Sequence, residues 1–248
     1  MFGIDAIARI DDQRSRPVTF PRAVGRMVLT HVLNEHGTIE AETTVIRVRE
    51  QCFYFVCAAF FELRLVDWLT QHRGAHEDVT VDNVSTRVGA LAVQGLQSRN
   101  YGSFARNAMR MEKMLKGASE LTNEVALPDA DVMRFVKLDR PGGFIGRDAT
   151  QRSLTATSRR WSCVYLSVDA ADADCHGGEA MLHNGARVGA VSSGAFGHTV
   201  GLSLAFAYID PAYAERGTEL QVSILGEARA ARVLDAPVYD PDNLRPRS

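Results

Sequence analysis

Residues Ser192 to Gly226 read SSGAFGHTVGLSLAFAYIDPAYAERGTELQVSILG. Small residues lead, and the apolar run LSLAFAYI follows. PAYAERGT, marked by Pro211 and Gly217, turns the chain back, and ELQVSIL alternates as a strand. Small side chains let one backbone approach another closely. Further short strands lie on either side: RRWSCVYLSVDA and EAMLHNGARVGAVSSG upstream, ARAARVLDAP downstream. Asn184-Gly185 is a two-residue hairpin signal, because both residues tolerate positive φ. Five or six closely spaced strands in about 90 residues predict a small, closed or partly closed antiparallel β-barrel over residues 150–248.

Upstream of the barrel, DRPGGFIGRDA places Pro141, Gly142 and Gly143 at a boundary or loop. Residues 1–140 then form a separate region with a different texture. GRMVLTHVLNEHGTIEAETTVIRVREQCFYFVCAA reads as a three-strand meander with turns at Asn34–Gly37 and Arg49–Gln51. Met27, Leu29, His31 and Leu33 alternate with other positions. FELRLVDWLTQHR puts Phe61, Leu65, Trp68 and Leu69 at helical spacing. VTVDNVSTRVGALAVQG returns to strand pattern. SFARNAMRMEKMLKG is a helix with Met109 and Leu115 expected on its buried side and Gly117 as its stop. Residues 1–24 carry Pro17 and Pro21, which discourage a continuous helix, and fit no element. The fold class is therefore α+β: an N-terminal mixed α/β layer plus a C-terminal small antiparallel β-barrel.

The chain has 248 residues, 46% hydrophobic and 23% charged, enough apolar material for a sizeable core. Its net charge of -2 shows no basic excess, so nucleic acid is not an expected partner. Cys52, Cys57, Cys163 and Cys175 form no CxxC pair, so no metal site is expected, and Cys52 and Cys57 read as buried small hydrophobes. ADADCHGG, Ala171 to Gly178, reads as a solvated turn rather than a ligand cluster. The N-terminus carries acids where a secretory signal needs an apolar core. The longest apolar run, about ten residues, is too short for a bilayer. The expected location is a reducing cytoplasm, with no membrane partner.

GHTVGLSLAFAYIDPAYAERGTELQVSILGEARAARVLDAPVYDPDNLRPR resembles the C-terminal barrel of the folate-dependent aminomethyltransferase (glycine cleavage T-protein) family. The nearest branch resembles the folate domain of dimethylglycine and sarcosine dehydrogenases. LTHVLNEHGTIEAETTVIRV is similar to the family's turn-and-strand motif. NAMRMEKMLKGASELTNEV and RFVKLDRPGGFIGRDA resemble its later helix and domain junction. The resemblance runs from about Arg26 onward. It implies one-carbon transfer to tetrahydrofolate, with a methylene iminium captured by a folate nitrogen, and so a small methylated amine as donor.

The same resemblance implies a site. The family places an aspartate near the reacting nitrogens, where a carboxylate stabilises the cation and orients the pterin amine. Glu42 matches that position, one methylene longer; without the resemblance it reads as an exposed strand residue. Leu29, Tyr54 and Val56 match positions that pack the pterin, though Tyr54 alternates with Phe53 and Phe55 and periodicity alone assigns it to neither face. Arg106 and Arg110 fall where the family anchors the folate glutamate, a task suited to a guanidinium fork. For both arginines, a solvated helix face paired locally with Glu112 is the plain alternative. His198 in FGHT is typical of the dehydrogenase branch and reads as a turn residue.

The sequence also departs from the family. The central segment with its tyrosine-glycine-glutamate-glycine motif is absent, and VQGLQSRNYG leads almost directly into SFARNAMRMEK. No GxGxxG occurs, so no FAD is expected on this chain, and a separate flavin oxidoreductase partner is implied. Apolar surface left by the shortened middle favours self-association, most simply a symmetric dimer. Two readings follow: a tetrahydrofolate-binding one-carbon transferase, or a non-catalytic structural subunit that keeps the fold without the folate site.

Overall fold

The computed structural model describes residues 4–8, 23–89, 102–139, 143–156, 159–170 and 172–245. The chain divides into two compact units. The first comprises Met1–Ser98, Leu121–Pro128 and Val132–Ala156; the second comprises Arg99–Glu120, Asp129–Asp131 and Thr157–Ser248. The expected boundary at Pro141–Gly143 thus falls inside the first unit, and the 103–117 segment groups with the barrel.

The first unit is an antiparallel sheet with a helix against it. Its strands are β1 (Ile4–Ala8), β2 (Met27–Leu33), β3 (Ile39–Arg49), β4 (Cys52–Cys57) and β5 (Val81–Asn83), in the order β2-β3-β4-β1-β5. The expected meander is β2, β3 and β4. Its first turn is fastened by Asn34, whose Oδ1 accepts from the backbone N–H of His36 at 3.0 Å and of Thr38 at 3.1 Å. Along β2 to β4 burial alternates with period two. Val32, Ala41, Val45, Phe53 and Phe55 are buried on one face. Helix α1 (Glu62–Gln71) buries Leu65, Trp68 and Leu69, the stripe predicted from helical spacing. Trp68 Nε1 donates to the Leu33 carbonyl at 3.1 Å, so the helix is tied to the end of β2. Residues 4–8 form a strand between β4 and β5 that the sequence reading did not place. Among the described residues, the strand expected from Val79 onward covers Val81–Asn83, and residues 90–101 lie outside them.

The second unit is a closed six-strand barrel, every neighbouring pair antiparallel. Its strands are β6 (Ser162–Val168), β7 (Ala180–His183), β8 (Ala186–Gly197), β9 (Leu202–Ile209), β10 (Glu219–Ile224) and β11 (Glu227–Leu234), in the closed order β10-β11-β6-β9-β8-β7. Closure leaves no unpaired edge. Asn184 and Gly185 make the β7–β8 hairpin with φ of 50° and 78°. The interior packs Leu166, Met181, Ala205, Ile209 and Val222, each fully buried. Burying such a Leu, Ile or Val contributes about 1.5–3 kcal/mol over leaving it exposed. The opening small residues have a specific reason. A Cβ at Gly194 would lie 2.6 Å from both the Cβ and the carbonyl oxygen of Cys175.

Helix α2 (Ser103–Glu112) corrects the sequence reading of its phase. Met109 and Leu115 are exposed by 45% and 52%, whereas Ala108, Met111 and Glu112 are buried. Met111 packs with Tyr165, Leu204 and Phe206, and the Tyr165 hydroxyl donates to the Met111 carbonyl at 2.8 Å. Apolar residues lie on both sides of this helix, so spacing alone fixed the wrong stripe. The helix ends at Glu112 and the chain turns at Met114, φ 53°, so Gly117 is not its stop. Helix α3 (Arg147–Thr155) completes the first unit. Among the described residues no helix is long and apolar enough to cross a membrane.

Candidate functional site

Four of the expected site residues fall on one face of the first unit's sheet. The β2–β3–β4 register aligns Met27, Ile46 and Tyr54 in one row, and Leu29, Thr44 and Val56 in the next. His31 opposes Glu42 in a third. Residues directly opposed across strands share a face, as do alternate residues along each strand. Tyr54 therefore points away from Phe53 and Phe55, which are buried on the other face. Thr44, Ile46, Tyr54 and Val56 are half-buried, and Leu29 and Met27 are exposed. The result is a largely apolar, partly open sheet face with a carboxylate at one end. One strand repeat of about 7 Å separates the Leu29–Thr44–Val56 row from Glu42, and two repeats, about 13 Å, separate the Tyr54 row.

His31 is the residue the sequence reading missed at this face. Its Nε2 lies 3.2 Å from Glu42 Oε2, with side chains 4% and 30% exposed. The approach has the distance of an ion pair but not the alignment of a hydrogen bond, and Nε2 has no hydrogen-bond partner. Phe135, on the 3-10 turn Met133–Phe135, sits over the imidazole at 5.8 Å between ring centroids. The only sequence signal was the alternation of His31 with Leu29 and Leu33.

The two arginines belong to the second unit. Arg106 is exposed on α2. Arg110 does not pair with Glu112. Its Nη1 donates to Glu120 Oε2 at 2.9 Å, Nη2 to Ser193 Oγ at 2.9 Å and Nε to Asn107 Oδ1 at 2.8 Å. Glu120, fully buried, also accepts from Gly117 N at 2.7 Å, Ser192 Oγ at 2.9 Å and Ser193 Oγ. A buried carboxylate is tolerated only when paired and hydrogen-bonded, and this one is both. Glu112 instead fastens the FGHT turn, where its Oε1 accepts from Thr199 N at 2.6 Å and Val200 N at 3.3 Å. His198 in that turn makes an edge-on contact with Phe196.

The ADADCHGG segment is more built than a solvated turn. Cys175 is fully buried, and Asp174 accepts from Ser203 Oγ at 2.7 Å. Glu179 accepts from the backbone of His176 and Gly177. Burial, with Glu179 and Asp174 adding to it, pushes the Cys175 thiol up to about 12. Burial likewise pushes Cys163 up to about 12. Cys52, Cys163 and Cys175 are free thiols, and Cys52 is half-buried rather than buried. Among the described residues no group of three or more His, Cys, Asp or Glu is placed to hold a metal ion.

Comparison with known proteins converges on both units. Residues 1–100 match the GCVT N-terminal domain, and residues 159–240 match the glycine cleavage T-protein C-terminal barrel domain. Human mitochondrial dimethylglycine dehydrogenase is 24% identical over 87% of this chain and 33% of its own length. An aminomethyltransferase from Saccharopolyspora erythraea is 37% identical over 60% of this chain and 41% of its own. The chain thus spans well under half the length of these relatives. The crystal structure of the glycine cleavage system aminomethyltransferase T from Bartonella henselae superposes with a TM-score of 0.77 at 17% identity, covering 96% of this chain and 84% of that one. At that identity the likeness shows the fold.

Proposed function

Because the chain belongs to the glycine cleavage T-protein family, we propose that it binds a reduced folate on the open face of its N-terminal sheet and serves in one-carbon transfer. The observation that carries this reading is the convergence of Leu29, Glu42, Tyr54 and Val56 on that one face. The residues present fit such a ligand. A flat pterin suits the apolar rows and the Tyr54 ring. Its polar edge would meet Glu42, the one acidic residue among those rows of β2 to β4. Bound tetrahydrofolate supplies the nitrogens that accept the one-carbon unit. Glu42 orients a pterin nitrogen and stabilises cationic charge as it develops, the kind of contact worth about 100- to 1,000-fold in rate. The donor is a small methylated amine, and its oxidation is assigned to a flavin oxidoreductase partner.

Titration with tetrahydrofolate, followed by thermal unfolding, tests the reading. A ligand at 100 times its dissociation constant adds about 2.7 kcal/mol, a readily measured shift. Glu42→Gln should bind folate nearly as well and lose transfer by about a hundredfold. No shift at saturating folate refutes the site.

A second reading is favoured by Arg110. The residue expected to meet the folate glutamate has its guanidinium committed to Glu120, Ser193 and Asn107. A non-catalytic subunit would keep this network for folding alone.

A further inference from the structure

We propose that His31 is a positioning residue that holds the Glu42 carboxylate on the open sheet face. The inference rests on the reading that Glu42 acts on a ligand there. His31 and Glu42 are directly opposed in the β2–β3 register, so the backbone ladder itself brings the two side chains together. The imidazole is almost wholly buried, while the carboxylate remains 30% exposed, so one partner is fixed and the other reaches the surface. Phe135 covers the ring, and Arg134 in turn stacks on Phe135 with its Cζ 4.8 Å from the centroid.

A buried imidazole nitrogen with no hydrogen-bond partner is uncommon in a folded protein. Here Nε2 is such an atom, and a carboxylate oxygen waits 3.2 Å away. A small turn of the Glu42 carboxylate completes an Nε2–H to Oε2 hydrogen bond. Hydrogen bonds at functional sites are often misaligned without ligand and tighten when it binds. Glu42 needs such a tether. Each sp³ torsion of a glutamate samples about three staggered wells, and a half-exposed strand position selects among them weakly. A donor at the base of the site selects the wells that keep the carboxylate beside the Leu29–Thr44–Val56 row. His31 itself does not touch the ligand in this arrangement.

The test uses the full chain. Long-range proton–nitrogen NMR of the imidazoles should show His31 protonated at Nε2, with that resonance moved in Glu42→Gln. An Nδ1–H tautomer, or a His31 signal indifferent to Glu42→Gln, overturns the proposal without reference to folate. In transfer assays His31→Leu should lose about a hundredfold in kcat, as a displacement of about 1 Å at a reacting group does, with KM within about threefold. His31→Gln, whose terminal amide reaches the place of Nε2, should recover to within about tenfold of the native rate. Equal loss in both variants at unchanged melting temperature overturns the proposal. Failure of the native chain to bind tetrahydrofolate would sink the folate reading, and the NMR arm would still decide whether His31 holds Glu42.

Discussion

Glu120→Gln and Glu120→Leu should weaken the barrel unit by clearly different amounts. Glu120 is fully buried and accepts four hydrogen bonds, from Arg110 and Gly117 on Oε2 and from Ser192 and Ser193 on Oε1. In Glu120→Gln the amide oxygen can keep facing Arg110 and Gly117, because the two serine hydroxyls can rotate and accept from the new NH2 group. What is lost is charge. Bonds to a charged group are worth about 1.5–3 kcal/mol and neutral ones about 1, so the cost should be about 1–2 kcal/mol. Glu120→Leu removes every acceptor. Arg110 is only 18% exposed and would be left without its counter-charge. Breaking a buried pair in this way costs about 3–5 kcal/mol. Urea unfolding followed by Trp161 fluorescence, in a Trp68→Phe background that silences the sheet unit, reads the barrel alone. Arg110→Met combined with Glu120→Leu should cost less than the two changes summed, because no charge is then stranded. Equal destabilisation by Gln and Leu, or strict additivity in the double variant, would refute the reasoning.

Three further outcomes follow from the same packing. Gly194→Ala forces a Cβ to 2.6 Å from Cys175 backbone and side chain, and should cost about 1–3 kcal/mol by calorimetry; no loss would mean that β8 moves freely. Tyr165→Phe removes the bond to Met111 O, which also accepts from Met114 N at 3.0 Å, so the loss in urea unfolding should stay near 1 kcal/mol. Cys163 and Cys175 are pushed up from 9.0 to about 12, which favours the neutral thiol in the fold. Their contribution is therefore complete below pH 9 and is lost as pH rises toward 12, seen as a falling melting temperature. Iodoacetamide at pH 8 should accordingly label Cys52 before Cys175, and labelling of Cys175 at its rate in urea would contradict this.

The barrel was legible because its signals are local. The apolar run of β9, the alternation along β10, the Asn184-Gly185 turn and the small residues of β8 each state their structure within a few neighbours. The α1 stripe was legible for the same reason. The parity that sets Leu29 with His31, and Tyr54 with Val56, is also written in the chain. Which parity faces outward is not, since Phe53 and Phe55 are as apolar as their neighbours. Packing decided it, by burying the phenylalanines and leaving Tyr54 half-exposed. Arg110 could not have been paired correctly from its helix, because residues two apart point to different faces. Its true partner, Glu120, lies beyond the helix and is completed by Ser192 and Ser193 from β8. The pairing of β1 with β4, and of His31 with Glu42, depends on strand register. Register is fixed by contacts between strands, so only the folded chain could bring the buried imidazole to the carboxylate.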